Sequence, residues 1–324
     1  MKAGIKGTGY YLPQRVVTNF ELEKTVDTND EWIRTRTGIE ERRIAAPDEF
    51  VSDMAVKAAE MAVKNAGLQV KDIDLIITAT ITADNPWPSA AALIGKKMGL
   101  EGVPAFDISA ACTGFIYGLE LCRSMVDSGR YKNALLIASE KLSAITDWQD
   151  RNTCVLLGDG AGAAIISPVE EGGILSAKIH CDGSDRDMLY QPGGGSAMPA
   201  TVETVTNRMH YLKMDGAEIY KHAIDKMPKV LEEAMSEAGL KPENIDFVIF
   251  HQANIRIIQS IAKRFKWPDE KNIVNIQKYG NTSAATIPIA LAEAVEQGRI
   301  KKGHTVAFSA FGAGLTWGGA VVKM

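Results

Sequence analysis

The sequence predicts an α/β fold of two similar halves, with helices packed on mixed, largely parallel sheets. Three observations carry that reading. Residues 62–80 (AVKNAGLQVKDIDLIITAT) and 234–252 (AMSEAGLKPENIDFVIFHQ) follow one plan: an amphipathic helix, a stop at Ala-Gly-Leu, a polar turn, then Ile-Asp entering an apolar run. Their glycines, Gly67 and Gly239, stand 172 residues apart and sit where helices stop. Residues 126–139 (VDSGRYKNALLIAS) and 295–310 (VEQGRIKKGHTVAFSA) each leave a helix at Gly-Arg, with Gly129 and Gly298 separated by 169 residues. Two landmarks at nearly equal offsets indicate duplication. Helical patterns also alternate with short apolar runs, the order that stacks helices on sheets. The expected halves are 1–170 and 171–324.

Taken in order, the opening MKAGIKGTGYYLPQ holds no apolar run long enough for a signal peptide or membrane anchor. Leu75-Ile76-Ile77 suits a strand buried on both faces. Phe115, Leu119, Cys122 and Val126 recur at helical spacing, so Cys112 stands near a helix N-terminus, where a thiolate is favoured. Gly158-Asp159-Gly160-Ala161-Gly162-Ala163 resembles a dinucleotide fingerprint, but Ala-Ile-Ile-Ser-Pro follows it, a strand instead of the required helix. It reads better as small residues letting backbones pass. The Gly- and Pro-rich excursion from 182 to 214 is expected to cover part of a site. Val248-Ile249-Phe250 repeats the buried-strand pattern and ends at His251. Pro288 suggests that the helix after Asn281 starts late or bends.

With 324 residues, 46% hydrophobic content and a net charge of -4, the chain has ample core and no general attraction for nucleic acid or anionic membrane. Cys112, Cys122, Cys154 and Cys181 show neither C-x-x-C nor zinc spacing, and read as reduced thiols of a cytoplasmic protein. The duplication adds chemistry. At the 169 offset Cys112 maps onto Asn281; at the 172 offset Ala79 maps onto His251. The order Cys, His, Asn also invites a cysteine-protease reading, but the C-G-[SA]-C-[WY] signature is absent and duplicated α/β halves do not suit that fold.

Ala111-Cys112-Thr113-Gly114-Phe115, Asp150-Arg151 through Gly162, His251-Gln252-Ala253-Asn254-Ile255-Arg256, Tyr279-Gly280-Asn281-Thr282-Ser283 and Thr316-Trp317-Gly318 together resemble β-ketoacyl-acyl-carrier-protein synthase III. The likeness spans essentially the whole chain, with the motifs in the family's order. It implies a thiolase-like, five-layered αβαβα core and a homodimer. It implies decarboxylative Claisen condensation of an acyl-CoA primer, acetyl-CoA for choice, with malonyl-acyl-carrier protein, starting type II fatty-acid synthesis. Cys112 would carry the acyl group. His251 and Asn281 would stabilise the enolate, and the backbone N–H groups of Cys112 and Ala313 would form a second oxyanion hole. CoA is the substrate carrier; no cofactor and no metal are implied.

The same resemblance assigns Thr28, Trp32, Arg36, Arg151, Gly216, Ala253 and Asn254 to CoA and its pantetheine arm. Trp87, Leu142, Leu157 and Leu189 would bound the acyl pocket, Trp87 reaching into the partner subunit. Gln252, Arg256, Lys263 and Arg264 would dock the carrier protein. Where the family commonly has three glycines this chain has Gly312-Ala313-Gly314, and Ala tolerates positive φ poorly. Leu157 and Trp87 stand where Phe is common, which points to a reshaped pocket favouring acetyl or propionyl primers. A related condensing enzyme of secondary metabolism and a cysteine acyl-thioester hydrolase are the alternative readings.

Overall fold

The computed structural model describes residues 2–324. Up to residue 169 the chain runs β1 (Lys2–Tyr11), β2 (Arg15–Thr18), α1 (Asn19–Leu22), α2 (Asp30–Thr37), β3 (Glu41–Ile44), α3 (Val51–Asn65), β4 (Leu75–Ala79), α4 (Ala90–Lys97), β5 (Ala105–Ile108), α5 (Gly114–Asp127), β6 (Ala134–Lys141), α6 (Arg151–Cys154) and β7 (Asp159–Val169). It continues through β8 (Gly173–Cys181), β9 (Leu189–Tyr190), α7 (Val202–Thr206), β10 (Lys213–Met214), α8 (Gly216–Glu237), β11 (Phe247–Phe250), α9 (Ile255–Arg264), α10 (Ile276–Tyr279), α11 (Thr286–Glu296), β12 (Thr305–Gly312) and β13 (Thr316–Lys323).

Two sheets share one topology. The first has the order β1-β7-β6-β4-β5 and the second β11-β12-β13-β8, so β8, β11, β12 and β13 occupy the places of β1, β4, β6 and β7. The ladders β4–β5, β4–β6 and β11–β12 are parallel; β1–β7, β6–β7, β12–β13 and β13–β8 are antiparallel. The antiparallel share exceeds what the apolar runs suggest, because such runs report burial on both faces and not strand direction.

Helices complete five layers. Met54, Ala55, Ala58, Ala59 and Ala62 of α3, with Ala91 and Ile94 of α4, pack on the outer face of the first sheet. Between the sheets lie α5 and α11, whose Phe115, Leu119, Ile287 and Leu291 form the central core with Ile77, Val306 and Phe308. The outer face of the second sheet is covered by α8 and α9 through Met227, Leu231, Ile257 and Ile261. No helix among the described residues is long and apolar enough to cross a membrane.

Local chemistry explains the ends. Asp215 caps α8 by accepting from the N–H groups of Ala217 and Glu218, both at 3.1 Å. Gly67 and Gly239 stop the repeated helices at φ 68° and 67°, where an L side chain is disfavoured. The run 158–163 is no phosphate loop. It enters β7, and a Cβ on Gly162 would lie 2.7 Å from the Ile289 nitrogen, so its small residues let α11 approach the sheet.

The structure corrects one alignment made from sequence. Ahead of α5 a tight turn spans Ala111–Thr113, and ahead of α11 another spans Ser283–Ala285. Their first residues, 172 apart, share left-handed backbone: φ is 44° at Ala111 and 51° at Ser283. Cys112 is therefore matched by Ala284, and Asn281 by Ser109. Pro288 does not delay the helix, because it is the third residue of α11, where a missing N–H costs no internal bond.

Candidate active site

Cys112 sits in the turn that feeds α5, at 9% exposure. Strand β12 ends against it: a Cβ on Gly312 would lie 2.8 Å from the Cys112 nitrogen. Burial pushes the Cys112 thiol up to about 12, opposed by Ser283. The expected thiolate is thus not the resting form; the field of the helix N-terminus acts the other way but must overcome desolvation.

His251 follows β11, and its N–H donates to the Ser309 carbonyl at 2.9 Å. It is 4% exposed, and burial lowers its pKa to about 3, so the ring is neutral at ordinary pH. Its Nδ1 lies 2.7 Å from Thr286 Oγ1. Thr286 has one hydroxyl proton for two acceptors, Nδ1 and the Ser283 carbonyl at 3.0 Å. When it turns to Nδ1, the ring proton resides on Nε2, the nitrogen left for the cavity.

Asn281 is clamped by its backbone: its N–H donates to Leu156 O at 2.8 Å, and its carbonyl accepts from Gly158 at 3.0 Å. Its Oδ1 accepts from the Ser283 N–H at 2.8 Å, which fixes the amide and leaves Nδ2 to donate. Cys112, His251 and Asn281 line one cavity of about 130 Å³, together with Gly216, Ala253 and Asn254.

That cavity joins two others. Inward, Cys112 and Asn281 also border a chamber of about 430 Å³, walled by Leu142, Leu157, Leu189 and Ala313. The excursion 182–214 contributes Leu189, Leu212 and Met214 to this chamber, and Leu189 and Met214 to the smaller cavity of Gly216, Ala253 and Asn254, the pantetheine-lining residues that the resemblance expects it to help cover. Asp147 pairs with Arg208, its Oδ2 2.8 Å from Nε, and the Ile145 carbonyl accepts from Leu212 N–H at 2.9 Å, pinning the cover down. Outward, Trp32, Arg36, Gly216, Asn254 and Arg256 line an open cavity of about 770 Å³. Arg151 places its guanidinium 4.9 Å from the Trp32 ring centre, covering one face. Thr28 does not line the cavity; its chain neighbour Asp27 accepts from Arg151 Nη1 through its carbonyl at 2.7 Å.

Other expected positions divide. Left-handed strain in the glycine loop falls on Gly314 (φ 134°) and not on Ala313, so the alanine fits. Trp87 is 83% exposed and stands clear of its own chain's chamber. Gln252 is not a docking contact. It is 1% exposed, and its amide is taken up by Phe250 O, Ile273 O and the Asn275 N–H, bracing the loop beneath His251. Arg256 and Lys263 are exposed on α9, while Arg264 is held by Glu232 at 3.0 Å.

The sequence reading missed Lys221 and Tyr220 at the outer mouth, Thr286 beside His251, Ser283 on the chamber wall with Cys112, and the buried Glu140 near the end of β6. For Glu140 a signal existed: a carboxylate closing the apolar run Ala134-Leu135-Leu136-Ile137-Ala138. Lys221 lies in the second turn of α8, five residues beyond Gly216, and sequence alone does not show which face that helix presents.

The chain is similar to known proteins along nearly its whole length. The family model "3-Oxoacyl-[acyl-carrier-protein (ACP)] synthase III" matches residues 106–183, and its C-terminal counterpart matches 235–324. The β-ketoacyl-[acyl-carrier-protein] synthase III of Fusobacterium nucleatum is 52% identical, over 99% of this chain and 98% of that protein. That of Clostridioides difficile is 51% identical over 99% and 98%. The crystal structure of 3-oxoacyl-[acyl-carrier-protein] synthase III from Aquifex aeolicus superposes with a TM-score of 0.93 at 47% identity, covering 99% of this chain and all of that one. With identity at this level along nearly its full length, the chain belongs to the β-ketoacyl-[acyl-carrier-protein] synthase III family, within the thiolase-like condensing enzymes.

Proposed function

We propose that Cys112 is the nucleophile of the decarboxylative condensation of acyl-CoA with malonyl-acyl-carrier protein, and that His251 and Asn281 stabilise the enolate. The observation that carries this is the single cavity in which the three side chains meet, between an apolar-walled chamber and an open mouth. Cys112 Sγ attacks the thioester carbonyl and CoA leaves. The malonyl group then loses CO₂, and the enolate oxygen receives hydrogen bonds from His251 Nε2–H and Asn281 Nδ2–H. The carbon nucleophile attacks acyl-Cys112, whose carbonyl oxygen turns to the N–H groups of Cys112 and Ala313, and the thiolate departs. Acetyl-CoA is the primer proposed, and Trp87 closes the chamber of a second subunit in a homodimer; its exposure on a stiff loop between Pro86 and Pro88 suits that role.

The test is peptide mapping after incubation with acetyl-CoA alone. The acyl group is expected on Cys112. Label on Cys122, Cys154 or Cys181, or free acid released without malonyl-carrier protein, contradicts the assignment.

The outer mouth suits CoA phosphates and an acidic carrier protein alike, so the two are separated by kinetics. Arg256 sits where the cavity meets the exposed face of α9 and lies 5.7 Å from the Tyr220 ring centre. Arg256→Glu is expected to raise KM for malonyl-carrier protein about 10-fold or more and that for acetyl-CoA much less. Added salt should weaken the carrier step in the wild type. Equal effects on both substrates would remove α9 as the dock.

A further inference from the structure

His251 and Asn281 reach the cavity from different segments, one just after β11 and the other ahead of α11. The chain between them includes α10, a single turn that Asn275 precedes and Tyr279 closes. A helix this short does not hold its own shape, because one turn makes too few hydrogen bonds to offset the residues it fixes. Its supports come from elsewhere in the fold.

At the start of α10 the Asn275 N–H donates to Gln252 Oε1 at 3.1 Å, and Gln252 is the chain neighbour of His251. At its end, Tyr279 stands two residues before Asn281. Glu293 of α11 holds both ends. Its Oε2 accepts from Asn275 Nδ2 at 2.9 Å, and its Oε1 accepts from the Tyr279 hydroxyl at 2.9 Å. All three side chains are buried, so water competes little for these bonds. The half-exposed Lys278 adds its ammonium 3.7 Å from Oε1.

Packing alone does not ask for Glu293. Ile287, Leu291 and Ala294 of the same helix are buried apolar residues, and a carboxyl taken out of water costs free energy unless donors meet it. The helix also opens with Thr286, whose hydroxyl lies 2.7 Å from His251 Nδ1. Thr286 and Glu293 are seven residues apart, two turns along one face of α11. This face therefore meets the His251 ring directly and the Asn281 segment through Tyr279.

Resting on the assignment of His251 and Asn281 as enolate donors, we propose that Glu293 is a positioning residue that sets the spacing of the two donors by strapping α10 between Gln252 and Asn281. One carboxyl group, with an oxygen for each end, keeps Asn275 and Tyr279 at a set separation. A donor serves a developing oxyanion only at hydrogen-bond distance, and a misplacement of about 1 Å can cost ~10²-fold in rate. Cys112 stands in a turn that these bonds do not reach, so acylation lies outside the device.

The test starts from isolated acetyl-enzyme and measures CO₂ release from saturating malonyl-carrier protein, with acylation by intact mass and thermal melting alongside. Glu293→Leu fills the space and removes both acceptors. It is expected to lose ~10²-fold in CO₂ release while acylation stays near the wild-type rate. Glu293→Gln should keep most of the rate, because its amide can accept from Asn275 and donate to the Tyr279 oxygen. Tyr279→Phe removes one tie and keeps the ring. It is expected to lose ~10-fold in wild type and in His251→Ala, but nothing further in Asn281→Ala, since it acts through Asn281. A general loosening of the fold would slow all three backgrounds alike, and that result overturns the proposal. So do wild-type rates in both Glu293→Leu and Tyr279→Phe, a parallel fall in acylation, or a glutamine variant as slow as the leucine one. Should Glu293→Leu fail to fold, the Tyr279→Phe series decides alone. If His251→Ala and Asn281→Ala themselves release CO₂ at the wild-type rate, the donor assignment has failed, a result distinct from every outcome at Glu293 and Tyr279.

Discussion

His251→Ala and Asn281→Ala are each expected to cut decarboxylation of malonyl-carrier protein ~10²–10³-fold while Cys112 still accepts an acetyl group. Each replacement removes one preorganised donor from a small cavity of about 130 Å³. Neither disturbs the turn that carries Cys112, since His251 hangs from β11 and Asn281 from its pairing with Leu156 and Gly158. His251 is neutral in the resting site, so its loss removes a donor and not a charge. Single-turnover acylation followed by CO₂ release from isolated acyl-enzyme separates the two half-reactions. A variant that fails at acylation yet decarboxylates normally would invert the proposed roles.

Thr286 and Ser283 make these donors usable. Thr286 meets His251 through Nδ1, and the Ser283 N–H holds Asn281 Oδ1, so both residues turn their other nitrogen to the cavity. One short stretch, 281–286, therefore carries Asn281 and holds both its amide and the His251 ring. Its conformation follows from the strained turn ahead of α11, counterpart of the turn that presents Cys112.

Much of this was legible in the sequence, and the limits have physical causes. Periodicity and the repeated Ala-Gly-Leu stops located β4, β11 and the helices before them, because a glycine stop and a doubly buried strand are local signals. Strand direction was not legible, since an apolar run looks alike in parallel and antiparallel ladders. The Cys112–Asn281 alignment failed because it used a spacing taken after α5 and α11. The turns ahead of those helices keep the 172-residue register, so the difference arises later in the chain. The resemblance assigns Gln252 to docking, but its burial is set by Ile273 and Asn275, more than 20 residues away. Ser283 and Glu140 lie 143 positions apart and come near one another only because the turn Ser283–Ala285 packs against β6.

Gly312→Ala is expected to produce the reverse phenotype, with acylation reduced ~10²–10³-fold and decarboxylation reduced far less. The added Cβ would sit 2.8 Å from the Cys112 nitrogen, 3.1 Å from its Cβ and 3.3 Å from its Cα. Those atoms belong to a backbone turn and the root of its side chain, so no flexible side-chain end can swing aside. Gly312 lies outside left-handed backbone, so alanine costs nothing in φ and the effect is contact alone. Nor can the strain spread freely. Thr316 Oγ1 lies 3.1 Å from Ala110 O, 3.0 Å from Ala313 O and 3.0 Å from Thr113 Oγ1, tying both segments together. The accessible movement parts the N–H groups of Cys112 and Ala313, the pair proposed to bind the acyl carbonyl oxygen. Overpacking of this kind costs ~1–3 kcal/mol, small enough for the fold to persist in a chain with so large a core. His251 and Asn281 keep their own supports, so CO₂ release from malonyl-carrier protein continues while 3-oxoacyl product does not form. A thermal melt, acylation by intact mass and the ratio of CO₂ to product together check this. A parallel fall in both half-reactions would mean that Gly312 serves the fold at large instead of the acyl oxyanion site.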